Sequence, residues 1–595
     1  MRNDLLSSNL EYNINRPIGY SKSPLNQHHK KPSITEDTSN IIKHRVTALT
    51  IDNNQDKSRF KLTDLPIEII TNITNNLSQF EILNLIRTCS KLYNQVLPQL
   101  YQHIIIDSNF NIFNNQEFKT NGRTYINSSF NLKKFLKTYS NKIDNHLNTI
   151  KIYKLECLNL PDSINVYDYD FNIDIVNFFS KLYNLTSLIW LNNNFRFEFL
   201  YDLPNKELIH TLILNIKYCG YLKENQNSTM NRYGSNMIED YDIDKLNFPN
   251  IINFQIKPFE DSYRLLKIIN NLLINKNNSI EVCNRLKILS LSSGDLMIDN
   301  SNIGYGIEVQ LRTTQYNDYL NEYTLKRMFE KSKIQYLSNL TSLSLNDLNV
   351  RSDDAKYLIN SINLKNLRYL QLRGIKEVTI IRGQNSTIIT FLSILAPYLI
   401  NLTHLSLRFH QLVNRIPQLL YELFQNGTDL KALDLSTVFS PDLFNSISNF
   451  QNLKKLSLEI YDPIDYGLCE DLRNEYLKEL QNLKLESLRI NNTINTQSLI
   501  NLISFQKNLK YLDIIGSKAG GAPNLGLGMI HPTIFDDWFK VQHVALLYLK
   551  LNLNLKYISI NECLFQCKSN LIINPIDGLN NWFKSKVRCL SLLDS

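Results

Sequence analysis

Cysteine is sparse in this chain and scattered along it. The eight, Cys89, Cys157, Cys219, Cys283, Cys469, Cys563, Cys567 and Cys589, fall far below the density of a disulfide scaffold, and no signal-peptide pattern precedes them. That excludes a cross-linked extracellular module and leads us to expect the cytoplasm and/or nucleus. "CLFQC" (Cys563 to Cys567) lacks the second close pair that zinc needs, so packing thiols are expected and no metal or cofactor. Glycine is also scarce, and five of the seventeen glycines sit in "GSKAGGAPNLGLGMIHP" (Gly516 to Pro532). Without a Gly-Lys-Ser/Thr ending this is no phosphate cradle, and a loop inserted between structured units is the expectation.

Charge of one sign is missing as well. The formal net charge is +8, from 64 basic and 56 acidic side chains spread along 595 residues. The densest basic cluster, His28-His29-Lys30-Lys31, is short, which argues against a nucleic-acid surface. The charge-free run "TIITFLSILAPYLINLTHLSL" (Thr387 to Leu407) contains Pro397, Asn401 and His404 and divides into a helix and a strand, so no membrane span is expected. There is no P-loop, G-x-S-x-G or His-Glu-x-x-His motif, and a non-enzyme is expected.

What the chain has is leucine in a pattern. From about residue 145 the motifs "NLTSLIWL", "RLKILSL", "NLTSLSL", "NLRYLQL", "NLTHLSL", "DLKALDL", "NLKKLSL", "KLESLRI", "NLKYLDI" and "NLKYISI" recur. The last two apolar residues of each are two apart, as on one face of a strand; such a pair does not share a helix face. Helical stretches intervene. "SPDLFNSISNF" has Ser440 as N-cap and Pro441 in the first turn, and "IPQLLYELFQNG" carries Leu419, Leu420, Leu423 and Phe424 on one face with Gly427 as C-cap. "TQSLINLISFQ" repeats the arrangement with Leu499, Leu502 and Ile503. Central leucines Leu405, Leu433, Leu456, Leu488 and Leu512 lie 28, 23, 32 and 24 residues apart.

One strand, turn and helix per unit resembles the leucine-rich repeat, in the divergent, ribonuclease-inhibitor-like form of fungal proteins. The predicted fold class is therefore α/β, with an irregular solenoid over residues 145–595 and a parallel sheet on its concave face. Polar insertions are expected near 220–247, 293–333 and 516–535. Ser344, Gln371, Ser406, Asp434, Ser457, Arg489 and Asp513 should stand exposed on that face, a mixed polar surface suited to a protein partner.

Ahead of the repeats, residues 1–59 have no period and few apolar anchors and read as a disordered tail. Residues 60–107 read as three short helices and a strand, with 108–144 as a linker. Asp64 is a candidate cap for a first helix with Pro66 and Glu68 near its start. Ile69, Ile73 and Leu77 then form a stripe at steps of four. Ser78 and Glu81 have capping-box spacing and restart a second helix through Ile82, Leu83, Leu85 and Ile86. A third runs from Ser90 until Pro98 ends it. Apolar residues appear on more than one helix face, more than so small a bundle can hide.

This segment resembles an F-box. The family's Leu-Pro-x-Glu-Ile opening, spaced apolar residues, Glu and Cys correspond to Leu65, Pro66, Glu68, Ile69, Ile73, Leu77, Glu81 and Cys89, with Leu92 where many members have Trp. The resemblance implies docking on the Skp adaptor of a cullin–RING ubiquitin ligase, through these residues and Leu85, while the repeats hold an unknown protein substrate. Two alternatives stay open: a structural subunit of a non-ligase assembly, such as a kinetochore DNA-binding complex, and a repeat scaffold without an adaptor.

Overall fold

The computed structural model describes residues 62–110, 122–140, 150–161, 164, 169–216, 246–257, 284–292, 336–346, 349–350, 352–374, 376–377, 390–408, 416–438, 440–461, 477–491, 496–515, 538–560, 563–568, 570–576 and 580–589. The tail, the Gly516–Pro532 segment, Cys219, Cys283, Cys469, and nearly all of the three insertions lie outside these residues. The chain divides into two compact units, 1–64 and 65–595. Of the first, the described part is the 3-10 turn Leu62–Asp64.

The second unit begins with helices α1 (Ile67–Thr74), α2 (Gln79–Ile86) and α3 (Ser90–Leu100). A long mixed sheet follows. Its strands are β1 (His103–Asp107), β2 (Thr124–Ile126), β3 (Lys154–Asn159), β4 (Ser187–Phe195), β5 (Thr211–Ile216), β6 (Asn253–Lys257), β7 (Ile288–Ser292) and β8 (Ser342–Asn346). Then come β10 (Tyr369–Arg373), β12 (His404–Arg408), β13 (Ala432–Val438), β14 (Lys455–Tyr461), β15 (Ser487–Asn491) and β16 (Tyr511–Ile515), while the short β9 (Asn349–Val350) and β11 (Lys376–Glu377) form a separate parallel pair. The last are β17 (Tyr557–Ile560), β18 (Cys563–Lys568) and β19 (Ile572–Pro575). Between strands lie α4 (Ser129–Ser140), α5 (Tyr169–Phe179), α6 (Ser352–Ser361), α7 (Thr390–Leu395), α8 (Ile416–Gln425), α9 (Pro441–Ser448), α10 (Thr496–Phe505) and α11 (Trp538–Leu551), with α12 (Asn580–Val587) after β19.

From β3 to β8 each strand pairs in parallel with the next, then β8 with β10, β10 with β12, and onward to β17. β1 pairs in parallel with both β2 and β3. The parallel series ends at β17, whose far side takes the antiparallel strands β18 and β19. The register explains the leucine motif. Leu343, Leu370, Leu405, Leu433, Leu456, Leu488 and Leu512 are aligned partners, and so are Leu345, Leu372, Leu407, Leu435, Leu458, Ile490 and Ile514. Both rows are buried in one core with the inner faces of the helices, including Leu419, Leu420 and Leu423 of α8 and Leu499, Leu502 and Ile503 of α10. α8 is terminated by Gly427, two residues past its last, whose φ of +82° suits glycine, and Thr428 N–H closes back on the Leu423 carbonyl at 3.1 Å.

The Asn and Thr of the motif have a job of their own. Asn366, Asn401 and Asn554 donate from their side-chain amides to the carbonyls of Ser338, Lys365 and Lys507, and the Thr341 and Thr403 hydroxyls donate to Lys287 and Arg368. Each turn is thereby tied to the one before it; the Lys287 and Arg368 carbonyls also accept backbone N–H bonds from the start of the next strand.

Four expectations need correcting. Asp64 does not cap the first helix: Pro66 occupies the N-cap position and makes no side-chain cap bond, while Asp64 closes the preceding turn. Pro98 does not end α3, which runs on to Leu100 with the proline inside it. Phe424 is substantially exposed and packs edge-on against Phe450. The largest correction concerns the sheet's outward row. Ser344, Gln371, Ser406, Asp434, Ser457 and Asp513 are buried, and Arg489 is largely so.

No helix among the described residues is long and apolar enough to cross a membrane. Because Leu433 has aligned leucines on both sides in a closed core, Leu433→Ala should cost about 2–5 kcal/mol. Urea unfolding followed by circular dichroism measures it.

Candidate functional site

Two places in the second unit bring together side chains that packing alone does not require. The first is the three-helix segment. Its own core is small and complete: Ile70, Ile82, Ile86, Leu92, Val96 and Leu100 are buried against one another. Leu65, Leu77, Leu85 and Cys89 are half-buried against that core. The capping box forms, with Glu81 N–H donating to Ser78 Oγ at 3.3 Å and Ser78 N–H donating to Glu81 Oε2 at 2.8 Å. At the start of α3 the Cys89 sulfur accepts from the Leu92 N–H at 3.5 Å.

The stripe read from the sequence is not the one that faces inward. On α1 the inner positions are Ile70 and Thr74, one residue on from Ile69 and Ile73. Ile69 is 44% exposed and Ile73 is half-buried. Thr74 is buried by means no period reveals. Its hydroxyl donates to the Ile70 carbonyl at 2.9 Å and bonds the Gln99 side chain, whose amide donates to Thr71 Oγ1 at 3.0 Å. This polar clamp joins α1 to α3, and only its chemistry, not its spacing, is visible in the sequence.

Each helix therefore leaves apolar surface in solvent. Pro66, Ile67 and Ile69 are exposed on or beside α1, Phe80 is 55% exposed on α2, and Tyr93 is 42% exposed on α3. Glu68 and Glu81 are exposed too. Leu92, expected among the contact residues, is 4% exposed and belongs to the core. A side-chain amide anchors the segment to the sheet: Gln79 accepts from Tyr125 N–H at 2.9 Å and donates to its carbonyl at 3.3 Å.

The second place is the outward row of the sheet. Arg408 holds Asp434 with two bonds of 3.2 and 3.1 Å and reaches Glu459 at 2.9 Å. Ser406 donates to the same Asp434 carboxylate at 3.1 Å, and Arg489 pairs with Asp513 at 3.0 Å. Further along, Tyr369 donates to Gln371 at 2.7 Å and Gln371 to Asn346 at 2.9 Å. Burial opposes the Asp434 charge, but Arg408 and Arg588 outweigh it and hold the carboxyl below its usual range. Asp513 goes the other way, since burial raises it more than Arg489 lowers it. His404, half-buried at the edge of this row, is lowered by burial and by Lys455 and Lys431. His410 lies outside the described residues. Among the described residues no cluster of His, Cys, Asp or Glu is arranged to hold a metal.

Residues 62–98 match the F-box domain. The match runs from the turn ahead of α1 to Pro98 in α3, so it spans the exposed apolar residues and the capping box together. F-box domains generally bind Skp-type adaptors, and F-box proteins are usually non-catalytic receptor subunits with a role in substrate recognition. No curated protein matches the chain.

The Asp434 pair sets a pH dependence. A carboxyl lowered in the folded state contributes stability above its unfolded value near 4, lost only as pH falls through the lower folded value. Asp434→Asn should cost about 3 kcal/mol at neutral pH, because it leaves Arg408 in a buried site with Glu459 as its remaining carboxylate and takes from Arg588 the carboxylate it faces. The difference from the unsubstituted chain should persist to about pH 4 and shrink only below it. Urea titrations of both chains at stepped pH check this.

Proposed function

We propose that the chain is a non-catalytic substrate receptor: its F-box segment docks on the Skp adaptor of a cullin–RING ubiquitin ligase, and its leucine-rich-repeat array holds a protein substrate. One observation carries the reading. The three helices close a core of their own, yet leave Pro66, Ile67, Ile69, Phe80 and Tyr93 in solvent, which is surface a second molecule can cover.

In this reading Pro66, Glu68, Ile69 and Glu81 meet the adaptor directly. Leu65, Ile73, Leu77, Leu85 and Cys89 contribute their exposed edges, and Leu92 supports the face from within. Affinity comes from apolar burial at roughly 25 cal/mol per Å², less the cost of association. The chain needs no chemistry of its own, because holding a target beside the conjugating enzyme raises its effective concentration. The in-register strand–helix units support the repeat reading, and the cytoplasm or nucleus is where such a receptor would work.

The test separates docking from folding. Leu65 also packs on the bundle core, so its replacement confuses the two; Pro66 and Ile69 are exposed and do not. Pro66→Ala with Ile69→Asp should weaken adaptor binding by at least about tenfold, the equivalent of removing one buried isoleucine. The melting temperature should stay unchanged. Unaltered adaptor affinity, measured by calorimetry with the purified adaptor, defeats the assignment. Co-purification of the full chain with both adaptor and cullin, as against adaptor alone, distinguishes ligase use from a structural role in another assembly.

A further inference from the structure

The last described helix does not follow the strand–helix alternation. α12 packs against β14, β15 and β16, and the residue after it, Arg588, points to Asp434 of the outward row. It therefore lies on the sheet face opposite the other helices, where the sequence leads one to expect solvent.

Its contacts are specific. Trp582 meets Tyr557 edge-on at 5.1 Å and Tyr511 at 6.3 Å, and those two tyrosines stack on each other at 6.0 Å. Phe583 and Val587 are buried in one cluster with Leu564 and Phe110. Beyond the helix, Arg588 Nε lies 3.8 Å from Asp434 Oδ2, and the Cys589 carbonyl lies 3.2 Å from the Tyr369 hydroxyl, whose one proton it shares with Gln371. Ten residues thus run from β17 across to β10.

The fit is good in its apolar part and poor in its charged part. Asp434 already has both oxygens engaged by Arg408. Arg588 enters a neighbourhood that also holds Arg373, Arg408 and Arg489, and its Nε has no hydrogen-bond partner. Burial and those like charges push its pKa down to about 9 despite Asp434. A buried guanidinium so poorly matched is costly to keep. An eight-residue helix also has little stability once it leaves its surface.

We infer that the face over β13–β16 is a receptor surface for a short amphipathic helix ending in an arginine, and that the chain's own C-terminal segment is its resident, displaceable occupant. The aromatic pair Tyr511 and Tyr557 receives the helix start, and Asp434 receives the arginine. Resting on the substrate-receptor reading, the consequence is that a partner held on this part of the sheet must first evict residues 580–589.

Cys589 reports the eviction. It is buried with the segment, and its thiol is pushed up by burial. Cys157, fully buried in the main core, reports the fold. In the full-length chain, Trp582→Ala, which removes the ring seated on Tyr557 and Tyr511, should raise the rate of Cys589 alkylation by N-ethylmaleimide at least about tenfold, the effect of losing one aromatic anchor, with Cys157 unchanged. A labelled synthetic peptide of residues 578–588 should bind the Trp582→Ala chain at least tenfold more tightly than the unsubstituted chain. Unchanged Cys589 labelling, or Cys157 released together with Cys589, or equal peptide binding by both chains, overturns the inference. Adaptor binding is read separately on the same variant: its loss counts against the receptor reading and leaves the eviction result standing.

Discussion

The structure depends on one constraint: a parallel strand with two inward leucines cannot bury them alone. Leu405 and Leu407 of β12 are covered by the aligned leucines of β10 and β13 and by the helices behind them. Every unit is therefore both a core and a lid for its neighbours. The irregular lengths between strands do not disturb this, because the register is fixed by the strand pair and by the Asn and Thr braces, not by what loops out between them.

The same constraint explains which parts were legible in the sequence. Leu433 and Leu435, two apart, announce both strand and facing, and the structure places both in the core. Ser78 and Glu81 announce a helix start, and the reciprocal bonds are there. Period two tells which side a residue faces but not what lies beyond. Period two puts Asp434 in the outward row and implies that it is wet; in the structure Arg408, 26 residues earlier, and the C-terminal segment, much later in the chain, cover it. No local pattern marks residues 580–589 as belonging there.

The helical segment shows a different limit. On a helix whose four isoleucines do not share one side, Ile69-Ile73 and Ile70-Thr74 compete as inner faces. A hydropathy stripe favours the first pair, and the structure chooses the second, because the buried threonine finds Gln99. A polar residue satisfied inside a bundle cannot be told from an exposed one by spacing. That inversion is also what leaves Ile69 outside.

The antiparallel turn at the end of the sheet has a consequence for assembly. A parallel edge such as that of β17 is a template on which another molecule's strand can be laid. Here that template is consumed by β18 folding back, and β19 closes with Pro575, which has no N–H to offer a newcomer. A chain built by repeating one motif thus covers its last parallel edge with a hairpin, and the strand left outermost there is four residues long and one outward N–H short.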